Sequence, residues 1–454
     1  MDSIDKMIEK AKVAQSKWER KGQQEIDVVV REIAKTVYDN AEELARLTVE
    51  ETKLGNIDHN IFQDKRKSEI IWYSLKGKKS VGIISEDKEN ELIEVAKPVG
   101  VVGVVLPVTI PVTNFMSNSM FSLKCGNSVI HAPHPSAKKT IATTANMVKE
   151  AISKFDVPDS LIQYIPEPTK EATQELMRKV NVVVATGGMG MVKAAYSSGR
   201  PAYGVGPGNV QAIIDRDIDF DDATKKIIAS RSFNYGIPCA SEQAAIVPRE
   251  NYDKIVAFFV SNGAAYIEND LDIEKLKDTL FDKNGILSRQ CIGISAYNVA
   301  KIAGISVPKD TVILLLKGDI EKQDNLLRRE KLCPVTMIYT YDDFSQAVEI
   351  AKSNLEIEGK GHSVVIHSEN RRHIEELAHA VYVSRVIVNQ PSNFTAGGGF
   401  SIGFSPTTTL GCGTWENNII SENLTYKHLM NITRIGYPIK GKVPKSEEIW
   451  GGGR

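Results

Sequence analysis

The chain has 454 residues, of which 42% are hydrophobic and 25% are charged, a composition typical of soluble globular proteins. At roughly 150 residues per domain, this length predicts two or three domains. The 56 basic and 57 acidic residues leave a formal net charge of −1. Such a balance argues against the basic surface that nucleic-acid binding requires.

The sequence also argues against a membrane or secreted protein. The aliphatic stretch Val99–Val108 is about half as long as a membrane-spanning helix, and the first residues lack the basic-then-apolar order of a signal peptide. The 5 cysteines have no regular spacing, so they predict neither a disulfide framework nor a zinc site. We therefore predict a reduced, cytoplasmic protein.

The N-terminal part of the chain has the apolar spacing of amphipathic helices. Apolar residues recur at three- and four-residue steps from Ile26 to Leu44, which places them on one face of a helix. Gly55 is a candidate helix end. Helices of this kind usually pack on a neighbouring layer, so we expect no chemistry from them.

From about residue 92 the pattern changes to short aliphatic runs separated by helix-like segments. This alternation predicts parallel sheets covered on both faces, in two successive α/β domains. The predicted strands are Gly100–Leu106, Ser128–Ala132, Leu161–Ile165, Asn181–Ala185 and Val210–Ile214 in a first series, then Gln243–Val247, Thr311–Leu316, Pro334–Tyr339, His362–His367 and Val383–Val388.

Two glycine-rich segments are candidate binding loops. The segment Val182–Lys193 reads as a strand, the turn Thr186-Gly187-Gly188 and a helix, an arrangement whose backbone N–H groups can bind phosphate. It lacks the full GxGxxG pattern, so a tight turn without a ligand is the alternative. The segment Gly204–Asn209 has three glycines in five residues, which predicts a positive φ or a close backbone approach. A purely structural loop is its alternative.

Cys239 is the candidate nucleophile. It follows a Gly-Ile-Pro turn and directly precedes an aliphatic run. A nucleophilic thiol needs exposure and a lowered pKa, which backbone N–H groups of a loop can supply. A small buried apolar side chain is the alternative for a lone cysteine, and Cys412 is the rival nucleophile.

The histidines do not predict a metal site. His131 and His134 end one predicted strand, and His362 and His367 bracket another at a spacing that places them on opposite faces. Neither pair has further ligands at metal-binding spacing. The Gly/Thr-rich residues 395–413 are typical of a loop that lines a binding cleft, with a flexible connection as the alternative.

In chain order, these segments resemble the aldehyde dehydrogenase superfamily, and more closely its coenzyme-A-acylating branch. The resemblance extends from about residue 5 to Trp450, and Tyr196–Asn209 and Ile420–Tyr426 are its most specific parts. It is nearest to members that act on succinate semialdehyde. The other motifs that carry it are the Pro-His-Pro turn at 133–135, the Thr-Gly-Gly turn at 186–188, the Cys-Ala-Ser-Glu-Gln loop at 239–243 and Glu330-Lys-Leu-Cys-Pro334-Val.

The resemblance implies an α/β fold of the aldehyde dehydrogenase type. We expect residues 1–235 to form the N-terminal helices and a Rossmann-like dinucleotide-binding domain. Residues 236–405 would form the catalytic domain that carries the nucleophilic cysteine. Residues 406–454 would return to the cofactor domain and make oligomer contacts, in a homodimer or homotetramer.

The resemblance also implies roles for individual residues. Cys239 would attack the aldehyde to give a thiohemiacetal, and hydride transfer to the nicotinamide would leave a thioester on the cysteine. The backbone N–H of Cys239 would help to bind the oxyanion. The expected cofactor-binding residues are Glu330 at the nicotinamide ribose, Thr186, Gly187 and Gly188 at the pyrophosphate, and His134 and Pro135 near the adenosine.

One absent residue predicts the type of reaction. Hydrolytic aldehyde dehydrogenases have a glutamate that activates water, and Gly204 stands in its place here. Without that base the thioester should react slowly with water and persist until the coenzyme A thiolate attacks it. We therefore expect NAD or NADP as the cofactor and coenzyme A as a cosubstrate.

Two local departures from the family pattern, and one unassigned contact, bear on the site. Ile110 replaces the asparagine amide expected near the substrate oxygen, so either Asn114, Thr109 or a backbone group substitutes for it, or the amide is not essential. Pro238 should bias Ile237 towards an extended conformation. No arginine is marked out for a distal carboxylate, and the candidates are Arg231, Arg385 and Lys193.

The predicted reaction interconverts succinate semialdehyde plus CoA and succinyl-CoA, with NAD(P) as the oxidant or reductant. Acetaldehyde or another short aldehyde is the alternative substrate. A reductase resembling glutamyl-phosphate reductase, a hydrolytic aldehyde dehydrogenase and a non-catalytic binding protein are the alternative functions. A small aldehyde and CoA are the expected partners, with no nucleic acid and no membrane.

Overall fold

The computed structural model describes residues 3–321, 326–439, 441 and 443–451. Four helices precede the sheets: α1 (Ile4–Trp18), α2 (Gln23–Asp39), α3 (Ala41–Thr52) and α4 (Ile57–Leu75). The predicted helix from Ile26 to Leu44 is two helices, because Asn40 leaves the helical conformation and its N–H donates to the carbonyl of Thr36. No helix in the described part of the chain is long and apolar enough to cross a membrane.

The first α/β layer is a parallel five-stranded sheet in the order β5-β4-β3-β6-β7. The chain leaves β3 for β4 on one side and later adds β6 on the other. In open α/β sheets ligands bind beyond the carboxyl ends of the strands at such a reversal. The strands are β3 (Val101–Val105), β4 (Ser128–Ala132), β5 (Ile162–Tyr164), β6 (Val182–Thr186) and β7 (Ala202–Val205), and the helices are α5 (Pro111–Lys124), α6 (Lys138–Ile152), α7 (Lys170–Lys179) and α8 (Met189–Tyr196).

The second layer is a parallel seven-stranded sheet in the order β10-β11-β12-β9-β8-β13-β14. Its strands are β8 (Val210–Ile214), β9 (Glu242–Pro248), β10 (Ala264–Ile267), β11 (Ile313–Lys317), β12 (Val335–Tyr341), β13 (Gly361–His367) and β14 (Val383–Val388). Its helices are α9 (Phe220–Ser232), α10 (Tyr252–Ser261), α11 (Asp270–Leu280), α12 (Ala296–Ile302), α13 (Phe344–Ile357), α14 (Arg371–Ala380) and α15 (Ser392–Thr395).

The chain passes from one sheet to the other between β7 and β8, at residues 206–209. Strand β8 and helix α9 therefore pack with the second sheet, although the sequence-based division assigns them to residues 1–235. The division after residue 235 stays a prediction. The chain leaves the first sheet for the second earlier, at residues 206–209.

A third, antiparallel sheet has the order β1-β2-β15. It joins β1 (Gly82–Asp87) and β2 (Leu92–Pro98) to β15 (Met430–Gly436), and α16 (Ser446–Trp450) follows. The sequence analysis did not predict these three strands. Both outer strands have mostly exposed side chains, so the apolar runs that revealed the other strands are missing here.

Candidate active site

The topology brings three segments together at the amino edge of the seven-stranded sheet. Strands β12, β9 and β8 are neighbours in this sheet, and each follows one of the segments. Glu330 precedes β12, Cys239 precedes β9 and Gly208 precedes β8. The amino ends of adjacent parallel strands share one edge, so residues far apart in the sequence converge there.

The loop that carries Cys239 is fixed by the N-terminal helices. Asn234 and Tyr235 both have positive φ, 50° and 53°, a conformation held only where the surroundings enforce it. The N–H of Asn234 donates to His59 Nδ1 at 2.8 Å. The side-chain Oδ1 of Asn234 accepts the N–H of Asn56 at 2.7 Å. The nucleophile loop is therefore anchored to the start of α4.

Ile237 differs from the sequence-based expectation. It is helical, with φ −75° and ψ −24°, rather than extended. Its N–H bonds back to the carbonyl of Asn234, so the turn overrides the preference that Pro238 imposes. Directly after it, the hydroxyl of Ser241 donates to the carbonyl of Pro238 at 2.6 Å and closes the turn around Cys239.

Cys239 is the partly exposed thiol among the 5 cysteines; Cys125, Cys291, Cys333 and Cys412 are buried. Burial raises the pKa of Cys239 to about 12, with further increases from Glu330 and Cys412, while Arg385 and a backbone N–H act in the opposite direction. The expected lowering of this pKa by loop N–H groups is thus outweighed by desolvation.

A cavity opens at Cys239 between the carboxyl edge of the first sheet and the amino edge of the second. Three phenylalanine rings, Phe62, Phe233 and Phe394, meet edge to face there, with centroids 5.1 to 6.2 Å apart. The remaining lining residues are Gln63, Arg66, Lys67, Ile70, Thr109, Ile110, Thr186, Val205, Pro238, Cys239, Ala240, Asn393, Gly397, Thr407, Thr408 and Leu410.

The turn after β6 has the features of a dinucleotide phosphate site. Thr186 ends β6 beside β3, at the reversal of the first sheet, and its buried Oγ1 has no hydrogen-bond partner among the described residues. Gly188 is the N-cap of α8, and no atom lies within 4 Å of the position that a Cβ would take there. An uncapped helix start with open space fits a bound pyrophosphate.

Glu330 and Gly208 lie next to Cys239. The N–H of Gly208 donates to Glu330 Oε1 at 3.1 Å, and the N–H of Glu330 donates to Glu358 Oε2 at 2.7 Å. Burial and Glu358 raise the pKa of Glu330 to about 8. A Cβ at Gly208 would lie 1.9 Å from the carbonyl oxygen of Cys239, so the predicted close approach of the glycine loop is to the nucleophile itself.

His134 and Pro135 lie at the same carboxyl edge as Thr186, beyond the end of β4. Both are exposed, and neither lines the cavity at Cys239. The N–H of Ser136 donates to His134 Nδ1 at 3.2 Å. Partial burial, with a contribution from Arg289, lowers the pKa of His134.

The amide of Asn114 is engaged by Thr408, which lines the cavity, but Asn114 itself is not among the lining residues. Its Nδ2 donates to Thr408 Oγ1 at 3.3 Å from a fully buried position in α5. Thr109 and Ile110 do line the cavity. Of the two side chains considered as replacements for the missing asparagine, Thr109 is therefore the one within the cavity wall.

Gly204 does not point at the cavity. A Cβ there would lie 2.8 Å from Val192 Cγ1 and 3.0 Å from the Tyr196 ring, on the far side of β7. The next residue, Val205, lines the cavity instead. The β7 position that lines the cavity is thus 205, and none of the lining residues in the described part of the chain carries a carboxylate.

Sequence analysis missed the cations of the cavity, Arg66 and Lys67, and placed the candidates elsewhere. Arg231 is buried and donates to backbone carbonyls, Arg385 is buried in β14, and Lys193 is exposed on α8. Arg66 and Lys67 belong to α4, about 170 residues before Cys239. Their place in the cavity becomes visible only in the folded chain, where the loop before Cys239 is anchored to that helix.

In the described part of the chain, no group of three or more His, Cys, Asp or Glu side chains could hold a metal ion. The buried Cys412 donates its thiol to the carbonyl of Leu410 at 3.3 Å. Cys412 is not among the residues that line the cavity, whereas Cys239 is.

Comparison with known proteins gives consistent relatives. The model of the aldehyde dehydrogenase family matches residues 1–274. The chain is 49% identical to succinate-semialdehyde dehydrogenase (acetylating) of Clostridium kluyveri, over 99% of each chain. It is 41% identical to sulfoacetaldehyde dehydrogenase of an Acholeplasma species, over 98% of this chain and 93% of that one. The structure of an acetylating aldehyde dehydrogenase from Geobacillus thermoglucosidasius superposes with a TM-score of 0.93 at 36% identity, covering 97% and 98%.

Proposed function

We propose that this chain, which belongs to the aldehyde dehydrogenase family and to its CoA-acylating branch, interconverts succinate semialdehyde and succinyl-CoA with Cys239 as the nucleophile. It is an oxidoreductase that acts on aldehydes, with a nicotinamide cofactor and CoA. The identity of the aldehyde substrate is the part of this proposal that depends on the residues lining the cavity.

In the proposed mechanism, the Cys239 thiolate adds to the aldehyde carbon while the N–H groups of the nucleophile loop bind the developing oxyanion. A bound nicotinamide would accept the hydride. Thr186, Gly187 and Gly188 would hold its pyrophosphate, Glu330 would bind the ribose, and His134 and Pro135 would lie beside the adenosine. The CoA thiolate then attacks the carbonyl carbon of the thioester left on Cys239, the acyl group passes to the CoA sulfur, and the Cys239 thiolate leaves.

The cavity favours acyl transfer to CoA over hydrolysis. Hydrolysis of the thioester requires a base that takes a proton from water, and none of the described lining residues carries a carboxylate. Glu330 acts electrostatically on Cys239, but it is not among the residues that line the cavity, and its Oε1 accepts the N–H of Gly208. This absence of a base is the counterpart, in the structure, of the glutamate missing from the sequence.

The observation that supports an anionic aldehyde is the pair of cations on α4. The ammonium of Lys67 donates to the carbonyls of Gly397 at 3.2 Å and Thr407 at 3.1 Å, which leaves one of its three protons for a ligand. The guanidinium of Arg66 stacks 4.7 Å from the Phe400 ring centroid. Beside them, the buried Oε1 of Gln63 has no partner in the described residues.

A carboxylate or a sulfonate would complement these two charges, whereas acetaldehyde has no group to pair with them. Succinate semialdehyde therefore fits better than a short neutral aldehyde. Sulfoacetaldehyde, the substrate in the name of one relative, is the second candidate because it also carries an anion. The two candidates differ in the distance between the anion and the reacting carbon.

The test follows NADH and NADPH oxidation with succinyl-CoA, sulfoacetyl-CoA and acetyl-CoA. We expect turnover with succinyl-CoA well above acetyl-CoA, and none with Cys239→Ala. Lys67→Met should lower kcat/KM for succinyl-CoA by about 10- to 100-fold, the effect of losing a hydrogen bond to a charged group, without a comparable loss for acetyl-CoA.

Lys65→Met is the matched control, because Lys65 belongs to the same helix but its ammonium lies 5.8 Å from the centroid of the Tyr38 ring, outside the cavity. A preference for sulfoacetyl-CoA would keep the mechanism and change the substrate. Equal use of acetyl-CoA would contradict an anionic substrate, and turnover by Cys239→Ala would contradict the nucleophile.

The third sheet supports assembly into a homodimer or homotetramer. Its outer strands β1 and β15 have no further strand partner among the described residues, and Ile83, Ile435 and Tyr437 are exposed along it. Unpaired edges with apolar side chains are sites of association between chains. The cytoplasmic location predicted from the sequence stays a prediction.

A further inference from the structure

Arg385 in β14 is a buried guanidinium whose acceptors in the described part of the chain are all neutral. Its exposed fraction is 2%. Nε donates to Ser363 Oγ at 3.0 Å, Nη1 to Asn423 Oδ1 at 2.9 Å, and Nη2 to the carbonyls of His362 at 2.8 Å and Gly411 at 2.9 Å. Burying a charge without a counter-ion is costly, so the position of this one requires a reason.

The charge lies beside two thiols. Nη2 bonds the carbonyl of Gly411, the residue before Cys412, and Cys239 packs against the buried apolar cluster that contains Leu410 and Cys412. Leu410, next to the acceptor Gly411, also lines the cavity together with Cys239. Arg385 thus binds the segment that forms this part of the cavity wall, and it acts electrostatically on both thiols.

Arg66 and Lys67 line the same cavity from α4, and the positive charge that acts on both thiols is Arg385. Glu330 raises the pKa of Cys239, and Glu416 raises that of Cys412. Burial, with a smaller contribution from Arg385, lowers the pKa of His362 to about 3, so its imidazole is neutral at physiological pH. Against this background Arg385 lowers the pKa of both thiols.

We propose that Arg385 is a positioning residue for the reaction, whose fixed charge stabilises the Cys239 thiolate. The proposal rests on the assignment of Cys239 as the nucleophile. The thiol proton leaves to solvent, the sulfur then forms a bond to the carbonyl carbon, and the electron pair of the carbonyl π bond moves to its oxygen. Arg385 acts on the first of these steps and never touches the substrate.

The test measures the pH dependence of Cys239 alkylation by iodoacetamide in the whole protein, with peptide mass analysis to identify the modified cysteine. Neither CoA, aldehyde nor nicotinamide cofactor is present. At pH 8 we expect Arg385→Gln to slow alkylation about tenfold, because one unit of thiol pKa changes the thiolate fraction about tenfold. Arg385→Lys keeps a charge and should stay within about threefold of the wild type.

Lys124→Gln is the matched control, since Lys124 is equally buried and pairs with Asp27, and neither residue lines the cavity at Cys239. It should lower the melting temperature without slowing alkylation of Cys239. Cys239→Ala gives the background.

Wild-type alkylation rates in Arg385→Gln, or equal losses in the glutamine and lysine variants, would overturn the proposal. If Arg385→Gln does not fold, the lysine variant decides: a tenfold loss in a folded protein contradicts the role of charge, and a rate within threefold supports it. Failure of the proposed function is visible separately, as missing CoA-dependent turnover in the wild type.

Discussion

Lys67 combines a place in the substrate cavity with a titration near neutral pH. Burial and the neighbouring Arg66 lower its pKa to about 8. An amine is charged below its pKa, so an anionic substrate should bind well below pH 8 and progressively less well above it. We expect KM for succinyl-CoA to rise as the pH increases from 7 to 9, while kcat changes less.

Lys67→Arg should remove this dependence, because a guanidinium remains charged throughout that range. The measurement is the pH profile of KM for succinyl-CoA in the wild type and the arginine variant, with acetyl-CoA as the neutral reference. An identical rise of KM for acetyl-CoA, or a rise that persists in the arginine variant, would assign the titration to another group.

Val205 marks the position from which a base would reach the thioester. Val205→Glu places a carboxylate in the cavity wall, where burial should raise its pKa and make it a better base. We expect this variant to release succinate from succinyl-CoA in the absence of cofactor, by hydrolysis of the acyl-enzyme. The assay measures free succinate, with Val205→Gln as the control that lacks a base.

Gly204→Glu is the informative comparison. A side chain at that position would meet Val192 and Tyr196 at 2.8 and 3.0 Å, so we expect a loss of thermal stability and no succinate release. Succinate release by Gly204→Glu, with none by a folded Val205→Glu, would show that position 204 and not 205 faces the thioester.

For individual residues, the sequence predicts Cys239 as the nucleophile but does not predict the proposed substrate contact of Lys67. Cys239 stands out by its position before an aliphatic run, and Thr186 by its place in a strand-turn-helix pattern. Lys67, in contrast, lies on an amphipathic helix and looks like any solvated lysine. Its role depends on the contact between α4 and the Asn234 loop, which no local pattern encodes.

Among the elements, buried parallel strands are readable from the sequence and exposed antiparallel ones are not. All ten predicted strands are confirmed with ends that differ by at most two residues, and Ser128–Ala132, Val210–Ile214 and Val383–Val388 have the same bounds. Each is a nearly continuous apolar run because both faces of its sheet are covered. Strands β1 and β15 face solvent and lack that signal.

Strand β9 is tied to helix α15 by a buried carboxyl group. Glu242, at the start of β9, accepts the N–H of Ser392 at 2.8 Å, and α15 then places Asn393 and Phe394 in the cavity wall. Burial raises the pKa of Glu242 from its ordinary value of 4.5 to about 7. Ionisation therefore costs more in the folded than in the unfolded chain.

It follows that the stability contributed by Glu242 is fully present below pH 4.5 and is lost as the pH rises through 7. Glu242→Gln cannot ionise, so its free energy of unfolding relative to the wild type should increase by roughly 3 kcal/mol between pH 4.5 and 8. Urea unfolding at several pH values measures this. A constant difference between the two proteins across that range would contradict the raised pKa.

At the scale of the whole molecule, the cavity exists only where distant parts of the chain meet. Helix α4 supplies the cations, the first sheet supplies Thr186 and Val205, the loop before β9 supplies the thiol, and residues 393–410 close the wall. No single α/β unit contains the complete site. Cofactor and substrate should therefore stabilise the arrangement of the two large sheets together.

The three-stranded sheet lies outside this arrangement and is the surface that we propose for assembly. Ile435 on the outer strand β15 is 41% exposed, so a charge there should break an interface without disturbing the core. We expect light scattering to give at least twice the chain mass of 50.0 kDa for the wild type and the single-chain mass for Ile435→Glu. Leu271→Glu is the matched control, because Leu271 is an aliphatic residue on α11 that is 73% exposed. A monomeric wild type would exclude assembly. A dimer that persists in Ile435→Glu but dissociates in Leu271→Glu would place the interface elsewhere.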